Sequence, residues 1–594
     1  MELQERARLA IHCMTETTDR EADYEPYYMV HFRDNPPMMI HNSWHGSTLA
    51  KYMETVALMR IMSGSGQNSE VDSRWMDVVL HMQGPDGLMY TPTRGRPWAH
   101  RDVGFQTTVE DYGYGIEGDQ YITAFGNGRM LSTMSLFAQR DGGPVWRDAA
   151  RRLVDGLADL AVYDGDIAYF WPNLLVTKKG SPPAGWKPTA FMHSEISRVP
   201  FGLVHAYRLL GYEPAATLAG KLLTFLRQHS YGEDGTFFST PGNPRMAHFH
   251  AHAHGLLAMQ QYAQTMGDQE MTEFAVRGFE WAKSVGSNVE MHGWDSWEST
   301  PGADLVGYFP EHVNSPRWEG SEICEVADMV ALALKLSEAG VGDYWDDADR
   351  WARNMLAEGQ LLSTDWIYRL PESGMTNYDP IYLSPSEAGP YNSTDRVPER
   401  NLGAFAGYPA ANDWYVGDGP GTMHCCTVNG ARAMYWVWYH ALRHQDGRLR
   451  LNLLLNRASQ WADVDSYIPY EGKVGIKVKQ PVRLEIRIPE WVAPSQTHCA
   501  VNEGPRRLDW NGRYAQVGDM RPGDTVTLTF PIEERTDIVH IEKQRFTLVR
   551  KGNEVVSIDP PGRHNPLYQR QHYRQANPRW HKIERFVSSE ELDW

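Results

Sequence analysis

Two short stretches of this 594-residue chain concentrate metal-ligand chemistry: Ser321-Glu322-Ile323-Cys324 and Gly421-Thr422-Met423-His424-Cys425-Cys426-Thr427-Val428-Asn429. One carboxylate and three thiolates are four ligands of the kinds zinc accepts, and soft sulfur favours zinc over magnesium or calcium. Glu322 and Cys324 stand two apart, so facing one ion requires an extended or helix-entry backbone. The adjacent Cys425 and Cys426 require a tight turn. Two other readings stay open on spacing alone: Cys324 is a core thiol on a helix, behaving as a small hydrophobe, and the vicinal pair is incidental or closes a strained ring disulfide. With only five cysteines the chain is no disulfide scaffold.

The elements that must position these residues fall into two regimes. Up to about residue 445 the chain reads as helical pairs with apolar positions three and four apart. Val204 to Leu210 stops at Gly211 before Ala215 to Gln228, Leu256 to Met266 stops at Gly267 before Glu270 to Val285, and Ala327 to Ala339 stops at Gly340 before Tyr344 to Leu361. Such pairs cannot bury both faces alone and must pack side by side, for which an α/α toroid is the natural closed solution. After about residue 446 the period changes to two: Val474, Ile476 and Val478 alternate with lysines, Leu484, Ile486 and Ile488 with charged residues, and Val526, Leu528 and Phe530 with threonines. Turn signals at Asn511-Gly512 and Pro522-Gly523-Asp524 punctuate these runs. The expectation is an N-terminal (α/α)6 toroid over 1–445 and an antiparallel β-sandwich over 446–594. The stretch from Asp559 to Asn577 is polar and proline-rich and reads as a long loop before a last segment that ends at Trp594.

Charge narrows the partners. Fifty-seven basic against 75 acidic side chains leave a net charge of −18, which repels phosphate backbones and anionic lipid surfaces. No basic patch offsets it, and no apolar run approaches the length of a membrane span. The expected partner is therefore a carbohydrate rather than nucleic acid or a membrane; the 21 Trp and 29 Tyr supply flat rings that suit sugar faces as well as cores. The start, Met1-Glu2-Leu3-Gln4-Glu5-Arg6, carries no secretory signal, so the expected location is cytoplasmic, although a processed chain would read the same way. Homodimerisation is the expected assembly.

The residues resemble a known family. Cys425-Cys426-x-x-Asn429-x-x-Arg432, with Glu322-x-Cys324 about a hundred residues upstream, is similar to the β-L-arabinofuranosidases of glycoside hydrolase family 127. Leu484-x-Ile486-Arg487-Ile488-Pro489-Glu490-Trp491, then Val501-Asn502 and Gly523-Asp524-x-Val526-x-Leu528, resemble the same family's C-terminal signature, in the same order. The resemblance implies a toroid carrying Zn2+ on Glu322, Cys324, Cys425 and Cys426, with Cys425 as the nucleophile of a retaining exo-glycosidase. Zinc would hold that sulfur as thiolate at neutral pH. The competing reading is a structural zinc, because four protein ligands normally close a site.

A retaining mechanism also needs a general acid. The family's Ser-Thr-His-x-Gly-Glu segment corresponds to Ser299-Thr300-Pro301-Gly302-Ala303-Asp304, which assigns the role to Asp304, one methylene shorter; Glu298 and Glu311 are the alternatives. By the same resemblance His45, His193, His252, His254 and Tyr382 contact the sugar. The intervals from His193 to His254 and from there to Glu322 are each about one helical hairpin, which places all three at one end of successive inner helices. The alternating histidines from His248 to His254 would also suit a second metal, but hydrogen bonding to substrate explains them more simply. Where the family usually has Gly-His before an apolar helix, this chain has Gly128-Arg129-Met130-Leu131. A guanidinium binds a carboxylate through two parallel hydrogen bonds, so Arg129 keeps open an acidic sugar, cleaved by carboxylates on the same toroid. A third alternative is a carbohydrate-binding protein whose zinc only staples the fold.

Overall fold

The computed structural model describes residues 1–41, 45–92, 94, 96, 98, 120–171, 184–185, 197–237, 247–285, 289–291, 297–299, 306–309, 312–313, 321–370, 392–416, 421–541, 544–575 and 583–594. Among the described residues, twelve α-helices of seven or more residues build the first part: α1 (Leu3–Glu16), α2 (His45–Ser63), α3 (Ser69–Met82), α4 (Ala124–Asp141), α5 (Pro144–Leu160), α6 (Arg198–Leu210), α7 (Glu213–Ser230), α8 (Phe249–Met266), α9 (Gln269–Val285), α10 (Ile323–Glu338), α11 (Trp345–Trp351) and α12 (His424–Ala441). The even-numbered helices form a closed ring. Each packs on the next, and α12 returns to α2, while the odd-numbered helices lie outside.

The sequence dictates which helix goes where. Outer α5 buries Trp146, Ala149, Ala150, Leu153, Val154, Leu157 and Leu160, one stripe at three and four spacing. Inner α8 is buried on nearly every side from Phe249 to Gln261, as a helix walled in by neighbours must be. The predicted stops hold: Gly211 ends α6 at φ 65° and Gly267 ends α8 at φ 71°, both left-handed. Inner helices approach most closely where side chains vanish, since a Cβ on Gly202 of α6 would lie 2.0 Å from the Gly128 carbonyl of α4.

Each inner helix follows an outer one, so all six run in the same direction and their N-termini meet at one end of the ring. Contacts between those first turns bear this out, from His248 against Glu322 to Glu322 against Cys426. The opposite end is closed by the last segment, 583–594. Trp594 is fully buried, its indole Nε1 donates to Glu54 Oε1 at 2.6 Å, its carbonyl accepts Trp436 Nε1 at 2.6 Å, and its rings stack on His205 at 3.9 Å.

The sandwich has a five-stranded and a six-stranded sheet. Strand order is Leu442–Gln445, Arg448–Leu451, Val482–Arg487, Tyr514–Met520, Asp509–Asn511 in one, and Arg457–Ala458, Ala462–Ser466, Lys473–Val478, Thr525–Thr529, His498–Val501, Gly504–Arg506 in the other. Arg448–Leu451 and Val482–Arg487 run parallel; the remaining pairs are antiparallel. Val474, Ile476, Val478, Leu484, Ile486, Ile488, Val526, Leu528 and Phe530 all face the core between them, as their alternation predicts. The strands of these two sheets lie between Leu442 and Thr529. A third sheet, Glu534–Ile541, Gln544–Lys551 and Glu554–Asp559, instead joins its Val539, Phe546, Leu548 and Val555 to the core of the toroid. Asn354 fastens it there, donating to the Asn553 carbonyl at 2.8 Å and accepting the Val555 N–H at 2.9 Å. Alternation reveals that a strand has a buried face, not which surface covers it.

Candidate metal centre

Glu322, Cys324, Cys425 and Cys426 meet at the N-termini of α10 and α12, with one ligand atom from each inside a 4.8 Å span. Glu322 is the N-cap of α10, extended at φ −110° and ψ 134°, and shares a reciprocal capping box with Glu325. Its carboxylate accepts the Glu325 N–H, while the Glu322 N–H donates to Glu325 Oε2 at 3.1 Å. This is the helix-entry backbone that two ligands two residues apart require, and Cys324 follows in the first turn. The vicinal pair needs no separate tight turn. The strand Thr422–Met423 pairs with Met29–His31, the His424 N–H donates to the Tyr28 carbonyl at 2.8 Å, and α12 begins with Cys425 and Cys426 in its first turn.

Sulfur and oxygen then converge. Cys324 Sγ lies 3.6 Å from Cys426 Sγ, Cys425 Sγ 3.8 Å from both Cys426 Sγ and Glu322 Oε1, and Cys426 Sγ 3.3 Å from Glu322 Oε1. No disulfide joins them. Three thiols and one carboxylate form a donor set that could hold a thiophilic divalent ion such as zinc. Cys324 and Cys426 are buried, whereas Cys425 is half-buried. Hydrogen bonds from Cys324, Cys426 and Tyr28 hold the Cys425 thiol well below its ordinary range, with help from the Lys51 charge. Burial pushes Cys324 and Cys426 up. A helix N-terminus adds to the stabilisation of a thiolate.

Further residues join the cluster, and of these Tyr28 carries no sequence signal. Tyr28 Oη donates to Cys425 Sγ at 3.2 Å, from a strand entry that belongs to no motif. His248 places Nε2 3.3 Å from Glu322 Oε2 at the mouth of α8. His250 and His254, four apart, share the α8 face toward the ring axis. His250 Nδ1 stands 2.5 Å from Asp328 Oδ2, and burial raises the Asp328 carboxyl to about 7. Asn429 Nδ2 faces His250 Nε2 at 3.3 Å, Arg432 Nη2 donates to Asn429 Oδ1 at 3.1 Å, and Arg432 Nη1 donates to Glu54 Oε1 at 3.2 Å. Because Arg432 claims the Asn429 oxygen, the amide must donate to His250, which leaves the imidazole proton on Nδ1 toward Asp328. A buried polar chain thus runs down the axis from Asp328 to Trp594.

The expected sugar contacts distribute unevenly. His252 is turned to the other face of α8, among Tyr231 and Phe237, with Nδ1 3.0 Å from the His248 carbonyl and Nε2 3.1 Å from the Ser230 carbonyl. Burial outweighs those two acceptors and lowers it to about 4. His254 is buried on the axis side, its ring 4.7 Å from Phe201. Arg129 is half-buried on α4. His193, Tyr382, Asp304 and Glu311 lie outside the described residues, as do the side chains of His45 and Glu298.

Comparison with known proteins agrees with this architecture. No family model matches the chain, and no curated protein matches it in sequence. Among solved structures, a GH127 β-L-arabinofuranosidase from Geobacillus stearothermophilus T6 superimposes with a TM-score of 0.55 at 15% identity, over 93% of this chain and 80% of that one. A second GH127 β-arabinofuranosidase gives 0.54 at 14% identity over 93% and 78%, and a further glycoside hydrolase 0.55 at 14% over 91% and 84%. The fold is thus that of a toroid joined to a β-sandwich, shared with these enzymes along nearly the whole chain. Among the described residues no helix is long and apolar enough to cross a membrane.

Proposed function

We propose that this chain is a retaining glycoside hydrolase with Cys425 as nucleophile, acting on β-L-arabinofuranosides or a related plant-derived sugar. The observation that supports it most is that Cys425 is set apart within the four-ligand cluster: it accepts a hydrogen bond from Tyr28 Oη at 3.2 Å, and as a residue it is less buried than Cys324 and Cys426. The similarity of the fold to GH127 structures supports the substrate class.

Glu322, Cys324, Cys425 and Cys426 would hold zinc, which would keep the sulfurs deprotonated at neutral pH and offset part of their charge. The Cys425 thiolate attacks the anomeric carbon: a C–S bond forms as the C–O bond to the leaving group breaks. The departing oxygen takes a proton from a carboxylic acid, assigned by resemblance to Asp304 with Glu298 and Glu311 as alternatives. Water then gives its proton to that carboxylate and attacks the same carbon, the C–S bond breaks, and the thiolate returns. Two inversions leave the configuration retained. His45, His193, His254 and Tyr382 are proposed to hold the sugar, with His248 added by its position beside Glu322.

The test is hydrolysis of an aryl β-L-arabinofuranoside by the reduced, zinc-loaded chain beside Cys425→Ser. Turnover in the first and a loss of at least about 10³-fold in the second is expected. Turnover that survives in Cys425→Ser would transfer the chemistry to carboxylates, and glycan binding without turnover in either would make the chain a binding protein.

A further inference from the structure

Lys51 is a buried cation in the metal cleft that the reaction above does not use. It sits on inner helix α2 at 4% exposure. Its neighbours fix its level: Tyr52 packs edge-on against His424 at 6.0 Å, Thr55 Oγ1 donates to the Val428 carbonyl, and the Ala50 carbonyl accepts Thr133 Oγ1 of α4 at 2.8 Å. Lys51 therefore stands beside the first turn of α12, which carries Cys425. Its charge favours ionised Asp328 and opposes protonation of His250 and His254, so it acts on two other inner helices across the axis.

A buried lysine is normally paired. Among the described residues no hydrogen bond or ion pair ties this ammonium, and the carboxylates of this region have other partners, with Asp328 Oδ1 the oxygen that keeps none. Glu54 binds Arg432 and Trp594, Asp328 binds His250, and Glu322 faces the cysteines and His248. The end of the ring where it lies also collects the positive ends of six inner helices. Arg129 adds a second, half-buried cation one turn before Thr133 on the adjoining helix. In a chain of net charge −18 this is a local reversal of sign.

We propose that Lys51 is a substrate-binding residue that receives a carboxylate, so that the sugar held at the metal cleft is an acidic one, a uronic acid or its glycoside. The inference rests on the glycoside reading of the site and, within it, replaces the neutral pentoside by the acidic member of the related sugars. A competing role, counter-charge to the thiolates alone, predicts no preference between acidic and neutral sugars.

The experiment titrates the reduced, zinc-loaded full chain with D-galacturonate and D-glucuronate, and with D-galactose, D-glucose and L-arabinose as neutral probes, at low and high salt. At least one uronate is expected to bind about 10- to 100-fold tighter than its neutral parent, the range of a hydrogen bond to a charged group. Lys51→Gln should erase that preference while zinc content stays unchanged, and Lys51→Arg should restore part of it. Equal binding of uronates and neutral sugars by the native chain overturns the proposal without needing any variant, as does a Lys51→Gln chain that loses both kinds of sugar alike. Lys51-dependent uronate binding with no hydrolysis of any aryl glycoside would overturn the glycosidase reading instead and leave this one standing.

Discussion

The two ends of the toroid axis are built from the same six helices and carry opposite chemistry. At one end the N-termini present unpaired N–H groups and positive dipole ends, and there the chain places Glu322, three cysteines and Asp328. At the other, the C-termini present carbonyls and negative dipole ends, and there it places Arg208, Lys335 and His440 in last turns. Asp593 is drawn between Arg208 and Lys335, and Trp594 fills the axis behind it. Polarity of the helix ring thus decides which end suits thiolates and which is closed by a salt-bridged plug. The polar chain from Trp594 through Glu54, Arg432, Asn429 and His250 to Asp328 joins the two.

The sharpest way to break this contrast is to remove the plug. Trp594→Ala deletes a fully buried indole and should cost about 3–5 kcal/mol in denaturant unfolding, while turnover of the folded fraction stays unchanged because Arg432 still holds Glu54. A loss of turnover with stability intact would show instead that the sealed end sets the geometry of the reactive one.

A smaller effect separates the two faces of α8. His252 is held at about 4 by burial against an ordinary value near 6.5. Between those values the unfolded chain binds the proton and the folded chain does not, so the stability His252 contributes is intact above pH 6.5 and is lost as pH falls toward 4. The loss is at most about 3 kcal/mol. Unfolding measured across that window should show a shallower acid limb in His252→Phe, whose ring suits the Tyr231 and Phe237 surroundings. An unchanged limb would mean that the histidine protonates freely and faces the cleft.

How much of this was legible depends on how local the determinant is. Gly211 and Gly267 stop helices by their own backbone freedom, and Val474, Ile476 and Val478 alternate because a strand has two faces, so both appear in the sequence. The four ligands were legible as types, and the capping box of Glu322 follows from a Glu three residues on. Tyr28 was not, because it reaches Cys425 through a strand pairing nearly four hundred residues apart in the chain. The three-and-four rule of helices separates His250 from the expected contact His252: His250 and His254 share a face, and His252 opposes it. The fate of 583–594 was hidden for a different reason. A short segment with one tryptophan has no periodicity, and its burial is decided by the hole that the ring leaves.

The central claim is that Cys425 bonds to the sugar. Rapid acid quench of the zinc-loaded chain turning over an aryl β-L-arabinofuranoside with a good leaving group, followed by peptide mass spectrometry, tests it directly. A pentosyl adduct on the peptide that carries Cys425, absent in Cys425→Ser, is the predicted result. Steady turnover with no adduct at that cysteine, persisting in Cys425→Ser, would contradict it.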